Sequence, residues 1–317
     1  MSVPPPKSSL RRPRPIRWPR RVTPWAVCLV AFSACQGGDR EGRDPGNSEA
    51  RPETVAAEPP RAAAVRVVSL IPSLSEIVVA LGAADQLVAR TDYDTDPALA
   101  DLPSVGGGLD PNLEALVGLG AELVLMPGVR ETPALVGRLA DFGIEGWVLE
   151  TETIDDLLDA VTEIGARLDR RGPADSLRAA IQAGLDDVRG RVEGRPPVSV
   201  MYVVWGDPPM TAGSRTFVDE VIRIAGGRNV FGDSPIQWPT VGFEAIVDRA
   251  PDMIIWPRGE VGGADLDQIA QRPGWRDVAA VQARRVIFVD ADLFNRPGPG
   301  VVEAARELAR RLHPDAF

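Results

Sequence analysis

Glu114-Ala-Leu-Val-Gly-Leu-Gly-Ala-Glu-Leu-Val-Leu-Met-Pro127 has a counterpart 130 positions further on, Glu244-Ala-Ile-Val-Asp-Arg-Ala-Pro-Asp-Met-Ile-Ile-Trp-Pro257, aligned without a gap. Each stretch has the same three parts: a helix beginning near its glutamate, an acidic turn residue (Glu122 or Asp252), and a short apolar run ended by proline. Such a run suits a strand buried on both faces of a parallel sheet. The repetition predicts two lobes of similar construction.

The flanking sequence extends the pattern. Strand candidates Val65–Ile71, Leu123–Met126 and Trp147–Leu149 alternate with helices in the first half, and Val198–Val204, Met253–Trp256 and Val286–Val289 do so in the second. Alternation of this kind specifies an α/β class with central parallel sheets. Pro72 ends the first strand, Ser73 and Glu76 are expected to form a capping box before Ile77, and Gly82 closes that helix. Between the halves lie two helical segments, Thr153–Leu168 and Pro173–Val192, with Pro173 suited to a first turn. The second, about 30 Å long as a helix, is a single stiff crossing from lobe to lobe. The expected organisation is therefore a leader at 1–34, a tether at 35–64, an N-terminal lobe at 65–172, a backbone helix at 173–193 and a C-terminal lobe at 194–317.

Composition agrees with a globular body behind an exported leader. The 317 residues are 44% hydrophobic and 25% charged, with mean hydropathy near zero, which excludes a collagen or a multispanning membrane protein. Net charge is −10, yet the first 34 residues hold seven basic residues and no acid, so the body is more acidic still. An acidic body repels phosphate backbones, and nucleic acid is not an expected partner. The basic stretch precedes the apolar run Val22–Phe32, whose 11 residues fall short of the roughly 20 that span a membrane. Small residues Ser33 and Ala34 then precede Cys35, the layout of a cleavable export signal. Two outcomes fit: lipidation of Cys35, since Phe32-Ser-Ala-Cys35 is similar to the lipobox of bacterial lipoproteins, or an ordinary cut near Ala34. Gln36 to Ala64 lacks large apolar residues and reads as a flexible tether with a reach of about 30 Å.

Chemistry-bearing residues are few. Cys28 lies within the leader and Cys35 at its end, so the folded body has no thiol for disulfides, zinc or nucleophilic catalysis. The one histidine, His313, sits near the C-terminus, where a solvated side chain is the expectation. Gly106-Gly-Gly108 fits neither a dinucleotide nor a Walker loop, and is expected to be part of a cleft wall. Asp92, Asp94 and Asp96 lack the glycine and glutamate of a calcium loop and are expected to be solvated. Tyr93, Trp205, Trp238 and Phe294 fall after strand candidates or in Pro/Gly-rich loops, where α/β folds carry binding residues; together they suit a large apolar or planar ligand.

The order of motifs resembles a known family. Arg66-Val-Val-Ser-Leu-Ile-Pro-Ser-Leu-Ser-Glu76, Asp92-Tyr93, Val105-Gly-Gly with Asn112-Leu-Glu114, Pro208-Pro-Met-Thr-Ala-Gly213, Ala225-Gly-Gly-Arg-Asn229, Trp238-Pro-Thr-Val with Glu244, and Arg296-Pro-Gly-Pro are similar to the periplasmic binding proteins of cobalamin, siderophore and haem ABC transporters, the vitamin B12 receptors in particular. The resemblance covers about residues 65–313. It implies two α/β lobes joined by one backbone helix, a ligand held in the cleft between them, and no catalysis or cofactor. The implied partners are a corrinoid ligand, an ABC permease dimer with its cytoplasmic ATPase, and the membrane on the periplasmic side, held through acylated Cys35.

Tyr93 and Trp238 match aromatic positions that clasp the corrinoid, and Phe294 and Arg296 lie in the matching last loop. A family tryptophan aligns with Gly108, so part of that wall is missing, and Trp205 is placed to compensate. Met210, Arg215 and Asp292 complete the candidate ligand set, with Asp292 or Arg296 meeting the amide rim of a macrocycle. Glu114 and Glu244 match two glutamates, one per lobe, that engage arginines of the permease; helix-start glutamates are also favoured by the macrodipole alone. An iron siderophore or haem is the second ligand reading: Tyr93 is its candidate iron ligand, and Arg215 with Arg296 supplies positive charge. An enzyme on the same scaffold would need converging acid–base or metal-binding side chains, and a purely structural surface lipoprotein would have a cleft without aromatic lining.

Overall fold

In the computed structural model, residues 64–108, 110–259 and 265–317 are described. The leader, Cys35 and nearly all of the tether lie outside them.

The first sheet is built from β1 (Val67–Ser69), β2 (Leu87–Ala89), β3 (Leu123–Pro127) and β4 (Glu145–Leu149), with helices α1 (Pro72–Ala80), α2 (Leu113–Gly118) and α3 (Thr132–Ala140) between them. Its strands are parallel in the order β2-β1-β3-β4. Two helices follow, α4 (Ile154–Arg167) and α5 (Arg171–Val192). Thr153 and Asp156 start α4 with a reciprocal capping box. The 22 residues of α5 span about 33 Å.

The second lobe contains β5 (Val198–Tyr202), a hairpin of β6 (Trp205–Gly206) and β7 (Pro209–Met210), α6 (Phe217–Ile224), β8 (Gly227–Asn229), α7 (Phe243–Arg249), β9 (Met253–Arg258), α8 (Leu266–Gln271), α9 (Ala279–Gln282), β10 (Val286–Asp290), α10 (Ala291–Phe294) and α11 (Val301–Leu312). Its sheet is parallel in the order β10-β9-β5-β8. Read from β8, that is the order of the first sheet, with β9 in the place of β3. The duplication extends to single bonds. The Glu122 carboxylate accepts the Arg66 N–H at the entry to β1 (2.9 Å), and Asp252 accepts the Ser199 N–H at the entry to β5 (3.2 Å). The Ser199 hydroxyl also holds Asp252 below the usual carboxylate range.

Side-chain alternation splits each sheet between two cores. Val68 of β1 and Met201 of β5 face separate outer clusters, one in each lobe, whereas Val67, Val200 and Tyr202 belong to a single inner cluster. That inner cluster also takes in Leu74, Leu157, Leu185, Val221 and Leu308 from α1, α4, α5, α6 and α11. The lobes are therefore joined by a continuous apolar layer as well as by α5.

Three local expectations change. β1 is shorter than Val65–Ile71 because the Ser69 hydroxyl turns back onto the Ile71 carbonyl (2.8 Å). No side chain caps α1, whose first residue is Pro72, and Glu76 is directed elsewhere. His313 is buried rather than solvated: at the end of α11 its Nε2 lies 3.0 Å from the Gly226 carbonyl oxygen, in space that a Cβ on Gly226 would fill.

Candidate ligand cleft

A cavity of about 370 Å³ lies between the lobes. Its walls are the segments beyond the C-terminal ends of strands: Ile71 to Ser73 after β1, Thr151 and Glu152 after β4, Val204 after β5, and Asn295 to Pro297 after β10 and α10, with Trp238 and Phe217 completing the C-lobe side. This is where parallel α/β sheets present their loops.

The seam beside the cavity is hydrogen-bonded across the lobes. Phe217 N–H donates to the Glu152 carbonyl (2.6 Å), Ile154 N–H to the Glu220 carboxylate (2.7 Å), and Trp238 Nε1–H to Glu152 Oε2 (3.2 Å). On the C-lobe side, the buried Tyr202 hydroxyl donates to Asn295 Oδ1 (2.6 Å), and burial pushes its ionisation well up.

Arg296 forms a second tie between the lobes. Its guanidinium meets Glu76 Oε1 of α1 (3.3 Å), Asp292 Oδ1 (2.8 Å), Thr95 Oγ1 (3.2 Å) and the Tyr93 carbonyl (3.1 Å), and its side chain is only 16% exposed. Gly298 lets this loop approach, since a Cβ there would lie 2.7 Å from Glu76 Oε2. Burial raises the Glu76 pKa above its ordinary 4.5, and Arg296 offsets that only in part. Arg296 and Asp292 thus spend their charges on each other, on Glu76 and on the Tyr93 loop.

Tyr93 follows β2 on a loop held by its acids. Asp94 accepts from the Thr91 N–H (2.6 Å) and hydroxyl (2.8 Å), Asp92 from the Ser104 hydroxyl (2.5 Å), and Asp96 from the Ala98 N–H (2.8 Å). The three aspartates therefore shape the turn rather than simply facing water. The Tyr93 ring lies on Gly107, where a Cβ would overlap it, and stays 59% exposed.

Trp205, Met210 and Trp238 share one small ribbon. Trp205 pairs with Met210 across the β6–β7 hairpin, and Met210 bridges to Thr240. Thr211 and Gly213 N–H groups donate to the carbonyls of Pro239 (3.1 Å) and Gln237 (2.7 Å), so the Trp238 segment runs antiparallel beside them. The hairpin stands on an aromatic base. Trp275 Nε1–H donates to the Gly206 carbonyl (2.9 Å), and its ring packs edgewise against Trp256 and Phe243 at 5.0 and 5.5 Å. Trp205 is left 65% exposed.

Arg215 is exposed in the left-handed region (φ 61°), its carbonyl accepting from Gln237 Nε2 (3.0 Å); among the described residues its guanidinium has no partner. Phe294 departs from expectation. The single turn of α10 rotates it inward, to 3% exposure, and it lines an internal void with Tyr202, Val221 and Leu308 instead of the cleft. Glu114 and Glu244 are exposed first-turn residues of α2 and α7 at equivalent places in the two lobes, and neither forms an ion pair among the described residues. Sequence reasoning missed Glu152 and the role of Glu76. The position of Glu152 directly after a buried strand was the available signal.

Two parallel-sheet lobes enclosing a lined cavity and tied to each other beside it define a two-lobed solute-binding protein; of the expected ligand residues, Trp238 and Arg296 line that cavity, and Tyr93 and Trp205 are exposed without being among its lining residues. Among the described residues no group of three or more His, Cys, Asp or Glu could hold a metal ion. The chain belongs to the periplasmic binding protein family, whose model matches residues 67–293. Proteins of that family are non-enzymatic transport components. It is 29% identical over 259 residues to an uncharacterized ABC transporter substrate-binding lipoprotein, YvrC, of Bacillus subtilis, covering 80% of this chain and 81% of that one. It is 30% identical over 253 residues to the vitamin B12-binding protein of Pectobacterium carotovorum, covering 78% and 88%. Among solved structures it resembles the periplasmic haem-binding protein BhuT in complex with two haems, at 27% identity and a TM-score of 0.69, over 80% of this chain and 99% of that one.

Proposed function

We propose that this chain is an extracytoplasmic, lipid-anchored receptor that captures cobalamin or a related corrinoid and delivers it to an ABC importer. The observation that carries the ligand class is the pair of large rings left in water, Tyr93 at 59% on one lobe and Trp205 at 65% on the other, at loops that follow strands. The Tyr93 ring is seated on Gly107 and the Trp205 indole N–H is tied to the Asp207 carbonyl (2.8 Å), and rings fixed in this way are suited to stacking against a broad planar face. The cavity is at the small end of the roughly 300–1,000 Å³ typical of ligand sites. A corrinoid with its amide side chains exceeds it, so the macrocycle stands outward between the rings while its edge meets Trp238.

The B12-binding relative supports the corrinoid, and the relative named a lipoprotein supports Cys35 as the lipid attachment. Among the described residues no helix is long and apolar enough to cross a membrane. Glu114 and Glu244, repeated on the two lobes, are assigned to docking on the permease. The likeness to a haem-binding structure favours haem as the second ligand, with Tyr93 as the candidate iron ligand.

Titration of the purified protein with cyanocobalamin, haem and a ferric siderophore, followed by tryptophan fluorescence, tests the reading. Saturable 1:1 quenching by cyanocobalamin, lost in the Tyr93→Ala, Trp238→Ala double variant, is expected. A response to haem with none to cyanocobalamin reverses the assignment.

A further inference from the structure

We infer that Glu152 is a specificity-determining residue that makes the cleft reject anionic ligands, so that the protein takes a neutral or cationic macrocycle. The inference rests on the proposed receptor function and narrows its ligand class. Among the described residues that line the central cavity, only Glu152 and Arg296 carry charge. Arg296 is already neutralised, held between Glu76 at 3.3 Å and Asp292 at 2.8 Å. Among the described residues Glu152 pairs with no cation: its carboxylate accepts the Trp238 indole N–H, and its backbone carbonyl is taken by Phe217. A carboxylate tied by a neutral donor has no counter-charge beside it and faces whatever enters beside Trp238.

The neighbouring hollow, of about 250 Å³, strengthens the field. It is lined by Glu76, Asp290 and Asp292 with the same Arg296. The cavity and this hollow together therefore set four carboxylates against one guanidinium. The exposed Arg215 lies two residues before cavity-lining Phe217 in the chain and is a cation that would act against them. A ligand bearing two carboxylates meets like charge in a partly water-excluded space, where repulsion at a few ångströms is several times its value in bulk water. A ligand without net negative charge does not.

The test uses haem and haem dimethyl ester, which differ in the two carboxylate charges and in two added methyl groups, so that the change of their ratio between variants is decisive; cyanocobalamin is a separate control. The full-length protein is expected to bind the ester about tenfold more tightly than haem, with the gap narrowing as ionic strength rises. Glu152→Gln keeps an oxygen to accept the Trp238 N–H but removes the charge, and is expected to cut the preference at least threefold. Asp292→Asn, which removes one of the two carboxylates that neutralise Arg296, is expected to move the ratio in the same direction. A residue that mattered only for folding would weaken both probes equally and leave the ratio unchanged. Equal binding of the two probes by the parent protein, or a ratio unmoved by Glu152→Gln, overturns the inference. Absence of cyanocobalamin binding alongside a clear, Glu152-dependent ester preference removes the corrinoid assignment and leaves the charge rule standing.

Discussion

Replacing Arg296 with methionine keeps most of the side chain's bulk and removes the one group that ties α1, the Tyr93 loop and the β10 loop together. Removing one partner of a buried ion pair costs about 3–5 kcal/mol, because the other charge is left stranded. Here the side chains of Glu76 and Asp292 are 30% and 49% exposed, so water recovers part of that loss, and roughly 2–3 kcal/mol is expected. Glu76→Gln added to Arg296→Met removes the more buried of the two stranded charges, leaving Asp292. The double variant should therefore be more stable than Arg296→Met alone, with a coupling of about 1–2 kcal/mol between the two positions.

The pH dependence follows from Glu76. Burial raises its folded-state pKa above 4.5 while Arg296 pulls it down, so losing Arg296 raises it further. An acid whose folded pKa lies above its unfolded value adds stability below the unfolded pKa and loses it as pH rises through the folded one. The cost of Arg296→Met should then be smallest near pH 4.5 and grow toward pH 8. Urea unfolding followed by tryptophan emission at both ends of that range measures it. A penalty below about 1 kcal/mol that is equal at both pH values, or a double variant less stable than the single one, would refute the reasoning.

Other perturbations test other parts of the site. Gly107→Ala should push the Tyr93 ring off its seat, weakening ligand binding about three- to tenfold while changing stability by less than about 1 kcal/mol; titration and a melting curve read the two effects. Trp275→Phe removes the donor that meets the Gly206 carbonyl, and urea unfolding should register a loss of about 1–3 kcal/mol from that bond, with ligand affinity falling as the Trp205 hairpin loosens. Glu114→Arg combined with Glu244→Arg should abolish uptake in cells yet leave ligand affinity intact; normal uptake would remove the docking assignment.

The repeat made the lobes legible because its strands are buried on both faces, and only an unbroken apolar run with turn residues at each end satisfies that. β2 and β8 were invisible for the converse reason. Leu87-Val-Ala89 and Gly227-Arg-Asn229 are three residues long, and β8 carries no apolar run at all; what makes them strands is the edge of β1 or β5 beside them. The β6–β7 hairpin likewise exists because Trp275 holds Gly206 from far along the chain. Of the loop aromatics expected at the cleft, Trp238 lines the cavity, Tyr93 and Trp205 are exposed but not among its lining residues, and Phe294 is turned inward, since one helical turn is enough to reverse the direction of a ring. The Arg296–Glu76 contact joins residues 220 positions apart, and no local pattern encodes it.

The way the lobes are joined determines how such a cleft can close. If α5 alone linked them, bending near its ends would be the cheapest motion. Leu74, Leu157, Leu185, Val221 and Leu308 instead belong to one inner core, and large relative rotation would expose apolar surface at about 25 cal/mol per Å². The seam at Glu152 and Ile154 and the Arg296 tie would break as well. Exposed side chains such as Tyr93 and Trp205 move at less cost, since their rings are largely in water already. On the proposed reading, ligand capture is expected to draw on exposed side chains more than on a large change in lobe spacing, because the shared inner core and the ties made by Glu152, Arg296 and Glu76 oppose that change.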